Sequence, residues 1–178
     1  ASFDFGVVKQ NVQGYLWTFP AYVEGVPHLN CGIYDARTAP NRPRAKLLLL
    51  FQRFLHQQGV DPATIDLQAH PVHWFSPKNT FARPRLLLVG DAAGADPLFG
   101  EGIGPALAYG QVAAQTLVDA FRRGDFGFGR YRQFLRASRL GRYLIVRWLG
   151  ARYLYRWGGQ ATFMHGFWTL AQLVAGGY

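Results

Sequence analysis

Residues 85–108 read RLLLVGDAAGADPLFGEGIGPALA, and this stretch decides the predicted fold. Residues 86–89 are all apolar, which is typical of a strand buried on both faces of a parallel sheet. A glycine-rich loop spans residues 90–104, and a helical pattern follows over residues 105–123. The order of strand, loop and helix predicts an α/β segment in which the loop follows a buried strand.

The glycine-rich loop has the properties of a cradle for a nucleotide cofactor. Glycine lets the backbone approach a ligand closely, because it has no Cβ. Asp91 follows the predicted strand and is placed to accept hydrogen bonds from ligand hydroxyls. The next helix directs its free N–H groups and the positive end of its dipole at the loop, and Pro105 near its start removes no needed donor. The alternative is a purely structural turn between a strand and a helix.

The whole string from Gly90 onward resembles the second FAD-binding motif of flavoproteins that include aromatic hydroxylases, flavin halogenases and geranylgeranyl reductases. Its Gly after GDAA and its Pro-x-x-Gly-Glu-Gly-Ile are similar to the geranylgeranyl reductase branch. A second stretch, GYLWTFP at residues 14–20, resembles the Tyr-x-Trp-x-Phe-Pro motif of that branch, which lines the substrate cavity over the flavin. Without the resemblance, this stretch could equally be an aromatic core strand that is ended by proline.

The resemblance implies roles for particular residues. Asp91 would bind the ribityl chain of FAD, and the backbone N–H groups near Gly102 and Ile103 would face the flavin pyrimidine. The implied cofactor-binding residues are Gly90, Asp91, Ala92, Pro97, Gly100, Gly102, Ile103 and Gly104. The implied substrate-binding residues are Tyr15, Trp17, Phe19 and Pro20. No catalytic residue and no metal site are predicted, since no paired carboxylates stand out and the histidines lack ligand spacing.

One departure from the family pattern is the absence of the first FAD motif, Gly-x-Gly-x-x-Gly after an N-terminal strand. We therefore expect the C-terminal part of a flavoprotein, with an α/β fold that is an α+β mixture. In this prediction, residues 1–84 are part of a substrate-binding domain with antiparallel strands and one helix. Residues 85–123 are the C-terminal part of an FAD-binding domain, and residues 124–178 are a C-terminal helical region.

Hydrophobic patterns predict the remaining elements. Three strands of an antiparallel meander are expected at residues 5–8, 15–19 and 29–34, a helix at 44–58 and an edge strand at 67–75. Further helices are expected at residues 131–149, 151–157 and 163–174.

The chain has 178 residues and a net charge of +9, nearly all of it from arginine. Such a charge favours phosphate, nucleic acid or an anionic membrane surface as a partner. Nucleic acid is not favoured, because no recognition motif accompanies the charge. On a helical wheel, an exposed edge is formed by Arg139, Arg142, Arg152 and Arg156, whereas Arg147 lies outside it. This edge suits either packed helices or a helix on an anionic membrane. The single Cys31 permits a reducing compartment, so we expect a cytoplasmic location, with or without peripheral contact with the inner face of the membrane.

The resemblance implies an FAD-dependent oxidoreductase that transfers hydride from reduced flavin to a carbon–carbon double bond of an apolar, isoprenoid-like substrate. One alternative is a flavin monooxygenase or halogenase of the same fold. Another is a truncated module that binds a lipid or a membrane without catalysis. The sequence names no electron donor.

Overall fold

The structure, a computed structural model, describes residues 2–157 and is a mixed α/β fold of antiparallel strands and four helices. It divides into two units, of which the first comprises residues 2–69 and 152–157 and the second His70–Ala151. The strands are β1 (Ser2–Asp4), β2 (Gly14–Val23), β3 (Val26–Asp35), β4 (Ala82–Arg83) and β5 (Leu86–Leu87). The helices are α1 (Leu47–Gln57), α2 (Ile103–Arg123), α3 (Tyr131–Ala137) and α4 (Arg139–Trp157).

The predicted antiparallel meander is present in the first unit, with the strand order β1-β2-β3. Strands β2 and β3 pair along their full length, from Gly14 opposite Asp35 to Val23 opposite Val26. Glu24 and Gly25 form the turn between them, and both have positive φ angles, 51° and 81°. A two-residue turn of this kind matches the twist of the strands that it joins.

The predicted first strand at residues 5–8 is wrong. The strand is Ser2–Asp4, and Gly6–Gln10 form a 3₁₀ helix. The Gly6 amide donates to Asp4 Oδ1 at 2.7 Å, and this turn ends the strand. Val7 and Val8 are still buried, and Val7 belongs to a core cluster with Val12 and Leu16.

Helix α1 confirms the predicted helix at residues 44–58 and begins three residues later than predicted. Its apolar face packs against a core of three buried residues, Val7, Val12 and Leu16. The residues that pack on this core are Leu47, Leu50, Phe51 and Phe54. The i, i+3, i+4 spacing in the sequence therefore identified the buried face correctly.

The predicted buried parallel strand at residues 86–89 is wrong. Strand β5 has two residues and pairs antiparallel with β4, with Ala82 opposite Leu87. Leu86 and Val89 are 50% and 41% exposed. An apolar run is buried on both faces only when other layers cover both faces, and the residues that the structure describes place β4 as the only strand beside β5.

The predicted edge strand at residues 67–75 is also absent from the described residues. Only Trp74 is in a β-bridge there, a parallel one with Ala95. The amide of Phe75 donates to the Ala95 carbonyl at 2.8 Å, and the Ala95 amide donates to the His73 carbonyl at 2.9 Å. The segment therefore pairs with the glycine-rich loop at one point, and Pro71 removes a donor that a longer ladder would use.

Helix α2 confirms the long helix predicted after the loop and ends at Gly124, whose φ of 63° is left-handed. The predicted helix at residues 131–149 is interrupted at Ser138, which is extended. The Ser138 hydroxyl accepts a hydrogen bond from the Gly141 amide at 3.0 Å, and this bond caps the start of α4. Helix α4 then continues through Gly150 to Trp157. The second part of the helix predicted at residues 131–149 and the helix predicted at residues 151–157 are therefore one helix.

The predicted helix at residues 163–174 lies outside the described residues. The predicted domains at residues 1–84, 85–123 and 124–178 are defined by function, and they stay a prediction.

Candidate functional site

Asp91 lies four residues after the end of β5, in a 3₁₀ turn, Gly90–Ala92, and it is exposed. The carboxylate lies against the start of α2, because a Cβ added to Gly102 would be 2.7 Å from Asp91 Oδ1. Gly90 has a φ of +57° and lies beside Ala106 in the first turn of α2. The structure thus brings the two ends of the glycine-rich loop together, with an exposed carboxylate at their junction.

The first turn of α2 is the second part of this arrangement. An α-helix leaves its first amides without acceptors inside the helix, and these amides carry the positive end of its dipole. In α2 they belong to the exposed segment Ile103–Gly104, and Pro105 contributes no donor. Ile103 is 81% exposed. A ligand could therefore meet an acceptor on Asp91 and donors on α2 at the same place.

The other predicted cofactor-binding residues differ in accessibility. Ala92 is exposed, Gly100 is half-buried with a φ of +70°, and Pro97 is fully buried. The Pro97 side chain is therefore not accessible to a cofactor in this structure. Its contact with a cofactor, like those of the other residues, stays a prediction.

Two buried tyrosines that the sequence did not single out hold the turn around Asp91. The Tyr131 hydroxyl donates to the Leu88 carbonyl at 3.0 Å, and the Tyr109 hydroxyl donates to the Gly94 carbonyl at 3.2 Å. Burial raises the pKa of Tyr131 to about 12 and also raises the pKa of Tyr109, so both hydroxyls keep their protons at neutral pH. Their only sequence signal was an aromatic residue on the apolar face of a helix, which indicates core packing in general.

Asp96 is the buried acid of the loop, with no exposed surface. Its Oδ1 accepts a hydrogen bond from the Leu98 amide at 2.8 Å. Its backbone closes the turn, because the Asp96 amide donates to the Glu101 carbonyl at 2.9 Å and the Gly100 amide donates to the Asp96 carbonyl at 2.8 Å. Burial raises the pKa of Asp96, while the Leu98 amide and the nearby Arg147 lower it.

The predicted substrate-binding aromatic residues are together on one face of β2. Tyr15, Trp17 and Phe19 alternate along the strand and therefore point to the same side. Phe3 of β1 joins them, with ring centroids 5.1 Å from Tyr15 and 5.3 Å from Phe19. Tyr15 is buried, and Trp17 and Phe19 are half-buried. We call these four residues the aromatic face.

Trp17 has a defined orientation on this face. Gly32 lies opposite Trp17 in the β2–β3 register, and a Cβ on Gly32 would collide with the indole ring. The Trp17 Nε1–H donates to Asn30 Oδ1 at 2.9 Å. The indole therefore lies across β3, and Gly32 and Asn30 are two residues of this region that sequence reasoning missed.

Pro20 is exposed and does not end the strand, contrary to the prediction. Strand β2 continues to Val23, with Pro20 opposite Leu29 of β3. Among the described residues, β1 pairs with β2 from Ser2, opposite Thr18, to Asp4, opposite Leu16. Within this part of the chain, β3 is the strand that pairs with β2 at Pro20.

The two predicted sets of site residues lie in different units. The loop residues belong to His70–Ala151, and the aromatic face belongs to residues 2–69. Each set is assembled within its own unit.

The arginines of α4 divide as the helical wheel predicted. Arg139, Arg142, Arg152 and Arg156 are exposed, whereas Arg147 is half-buried. Exposed apolar side chains share the arc of the four exposed arginines, namely Val146, Leu149, Tyr153 and Trp157. Within residues 2–157, no helix is both long and apolar enough to cross a membrane.

Known proteins with similar sequences bear the name digeranylgeranylglycerophospholipid reductase. The chain is 32% identical over 137 residues to such a protein from Methanosphaerula palustris, an alignment that covers 74% of this chain and 33% of the relative. It is 34% identical over 136 residues to one from Methanospirillum hungatei, with the same two shares. It is 30% identical over 115 residues to one from Methanothrix thermoacetophila, with shares of 64% and 28%.

No protein-family model and no solved structure matches the chain. The chain spans about a third of the length of the curated relatives that it matches, 28–33% for the three named here. These relatives confirm the resemblance that the sequence motifs indicated: over the part that they match, the chain is similar to reductases of the geranylgeranyl reductase family.

Proposed function

We propose that the chain is part of an FAD-dependent oxidoreductase that reduces carbon–carbon double bonds of an apolar, isoprenoid-like substrate. The names of the relatives support a reductase. The observation that carries the FAD assignment is the exposed Asp91 carboxylate held against Gly102 at the start of α2. When bound, reduced FAD would supply the hydride for the double bond.

The residues present fit a flavin in chemical terms. The Asp91 carboxylate is an acceptor for the hydroxyls of a ribityl chain. The amides near Gly102 and Ile103 and the dipole of α2 would stabilise negative charge on the pyrimidine edge of the ring. A Cβ on Gly102 would be 2.7 Å from Asp91 Oδ1, so a side chain there would displace the Asp91 carboxylate from the position described.

The aromatic face is proposed to bind the apolar substrate. Its side chains offer large apolar area with few rotatable bonds, so little conformational entropy is lost when an isoprenoid chain packs on them. Trp17 is already oriented by Gly32 and Asn30. Such a surface would exclude water from a double bond placed beside it, which favours hydride transfer over side reactions.

The test of the FAD assignment is Asp91→Ala in the full-length natural protein. Loss of the carboxylate removes charge-assisted hydrogen bonds of about 1.5–3 kcal/mol each, so FAD affinity should fall roughly tenfold to a hundredfold while the fold is retained. Asp125→Ala, which removes an exposed carboxylate outside the loop, is the matched control. Unchanged flavin affinity in a folded Asp91→Ala protein would remove Asp91 from the site. Oxygen consumption coupled to substrate hydroxylation would replace the reductase proposal with a monooxygenase.

The 178-residue chain by itself should bind FAD weakly, because its sequence has no Gly-x-Gly-x-x-Gly fingerprint for the pyrophosphate. Fluorescence quenching of added FAD measures this directly. Nanomolar binding by the 178-residue chain would contradict the idea that it holds only half of the cofactor site.

We also propose that α4 contacts an anionic membrane surface, from which an isoprenoid-like substrate could be delivered. The exposed arginines and apolar residues of one arc support this. Each arginine near an anionic surface contributes about 1 kcal/mol. Replacing Arg139, Arg142, Arg152 and Arg156 with Gln should weaken flotation with anionic vesicles, and added salt should have the same effect on the wild type. Equal flotation of the wild type and a variant that circular dichroism shows to be folded would contradict membrane contact.

A further inference from the structure

We propose that Arg147 and Tyr143 of α4 are positioning residues that act through buried Asp96 to hold the glycine-rich loop in the conformation that presents Asp91 and the first amides of α2. The inference rests on the proposed function, since it concerns how the same loop is made ready for a flavin. It assigns a role to a half-buried cation and to a carboxylate that the proposed cofactor contacts do not use.

The two oxygens of the Asp96 carboxylate face different parts of the second unit. Oδ1 accepts a hydrogen bond from the Leu98 amide, at 2.8 Å, within the loop. Oδ2 faces α4, where the Tyr143 hydroxyl donates to it at 3.3 Å and Arg147 Nη1 lies 3.8 Å away. One fully buried carboxylate therefore connects the loop to a helix that lies about fifty residues further along the chain.

Arg147 contacts the loop in a second way. Its guanidinium carbon lies 4.8 Å from the ring centroid of Phe99 and 4.9 Å from that of Tyr143. Both distances suit a cation–π contact. Phe99 belongs to the same turn as Asp96, so the one cation contacts this turn through a carboxylate and through a ring.

The contacts continue from Asp96 to the proposed ligand-binding groups. The backbone bonds between Asp96 and Gly100 and between Asp96 and Glu101 close the turn over residues 96–101. Gly102 follows directly, and a Cβ added to it would be 2.7 Å from Asp91 Oδ1. A shift of Asp96 would therefore move the residues that meet Asp91, although neither Arg147 nor Tyr143 touches Asp91.

Arginine suits position 147 because its side chain faces a carboxylate and lies over two aromatic rings there. A planar guanidinium can stack on two rings while it faces a carboxylate, whereas a lysine ammonium is a point charge that cannot stack. Replacement by Lys should therefore preserve the charge opposite Asp96 and lose the contact with Phe99. This difference separates charge from stacking in an experiment.

The experiment compares Arg147→Gln, Arg147→Lys and Tyr143→Phe with Arg139→Gln, which removes the same charge from an exposed position of the same helix. Hydrogen–deuterium exchange of the full-length natural protein is followed in peptides that cover residues 96–104 and in peptides that cover residues 109–120 of α2. We expect Arg147→Gln to speed exchange in the loop peptides about tenfold, the scale of one partly buried charge contact. Arg147→Lys should give a smaller increase, and Arg139→Gln none.

Faster exchange in the loop with unchanged exchange in α2 supports a positioning role. Equal acceleration in both sets of peptides would make Arg147 a general stabilising residue and would overturn the proposal, as would unchanged loop exchange in a folded Arg147→Gln chain. If that variant does not fold, Arg147→Lys and Tyr143→Phe decide the question by the same comparison.

A second measurement relates the loop to the flavin. In the full-length natural protein, FAD affinity and the visible circular dichroism of bound FAD are recorded for the same variants. We expect Arg147→Gln to weaken binding about tenfold and to change the dichroism of the flavin that remains bound, with partial rescue by Arg147→Lys. Normal affinity and an unchanged spectrum in the presence of faster loop exchange would overturn the link to the ligand. Absence of FAD binding by the wild type would instead refute the proposed function and leave the exchange result standing.

Discussion

The glycine-rich loop and the β2–β3 hairpin present their proposed binding groups in different ways. The loop presents main-chain amides and one carboxylate, and its shape depends on side chains from three different helices, Tyr109, Tyr131 and Tyr143. The hairpin presents aromatic side chains, and its shape depends on strand pairing between neighbours in sequence. A backbone-based site needs distant residues to fix it, whereas a face of alternating side chains follows from the strand itself.

The largest expected loss of stability comes from replacing a glycine that packing as well as its φ angle requires, compared with a glycine that only its φ angle requires. Gly94 has a φ of +127°, and a Cβ there would be 2.5 Å from the Phe75 backbone. Gly94→Ala should therefore lower the free energy of unfolding by about 3 kcal/mol or more, from left-handed strain together with a backbone clash. Chemical denaturation measures the change.

The matched control is Gly59→Ala, where φ is +76° and the space is open. This variant should lose only about 1 kcal/mol, because strain is then the sole cost. Equal losses in the two variants would show that the contact between the loop and residues 73–75 does not constrain the loop.

In the hairpin, Gly32→Ala should displace the Trp17 indole and break its hydrogen bond to Asn30. A flexible side chain can move away where a backbone cannot, so we expect a cost of about 1–3 kcal/mol, below that of Gly94→Ala. The chemical shift of the Trp17 indole N–H reports the displacement. Gly25→Ala, in the open turn of the hairpin, should leave that resonance in place, and an unmoved resonance in Gly32→Ala would contradict the orientation described for Trp17.

Tyr131→Phe tests the support of the loop by a single hydroxyl. The Leu88 carbonyl loses its donor in a partly buried setting, which should lower the free energy of unfolding by about 1 kcal/mol. Tyr22→Phe removes a hydroxyl from a side chain of the hairpin that is 76% exposed and should change stability by less than about 0.5 kcal/mol. Thermal unfolding of both variants makes the comparison, and equal stability of Tyr131→Phe and the wild type would mean that the hydroxyl does not support the loop.

The smallest expected effect is the pH dependence that Asp96 adds. Burial raises the pKa of Asp96 above its ordinary value of 3.8, and the Leu98 amide and Arg147 offset part of this rise. The folded protein then holds a proton that the unfolded chain releases, so the contribution of Asp96 to stability is present below pH 3.8 and is lost as the pH rises through the raised pKa.

Denaturant unfolding of the wild type and Asp96→Asn over a pH series isolates this contribution. In Asp96→Asn, the free energy of unfolding should not show this fall as the pH rises. The other charged or titratable groups near Asp96, namely Tyr143, Arg147 and the neighbouring Glu101, remain in both proteins. Identical pH profiles for the two proteins would contradict the burial-raised pKa.

Local patterns in the sequence were sufficient where neighbouring residues decide the structure. The hairpin follows from the aromatic or β-branched runs at residues 15–19 and 29–34 and from Gly25 between them, and α1 follows from its apolar spacing. The end of α2 at Gly124 follows from the conformational freedom of glycine. The two motifs also indicated the resemblance to geranylgeranyl reductases, because their residue types suit close backbone approach and aromatic packing.

Tertiary structure decided what local patterns leave open. The apolar sequence of residues 86–89 does not reveal whether other layers cover both faces of the strand. The arrangement of the neighbouring strands leaves Leu86 half exposed. A helical pattern also continues through Ser138, although its hydroxyl caps a new helix there. The support of the loop by Tyr109, Tyr131 and Arg147 depends on contacts across many residues of sequence, and the free energy of such contacts exists only once the chain has folded. The sequence by itself therefore determined the hairpin, α1 and the end of α2, and the tertiary structure decided which residues hold the glycine-rich loop in place.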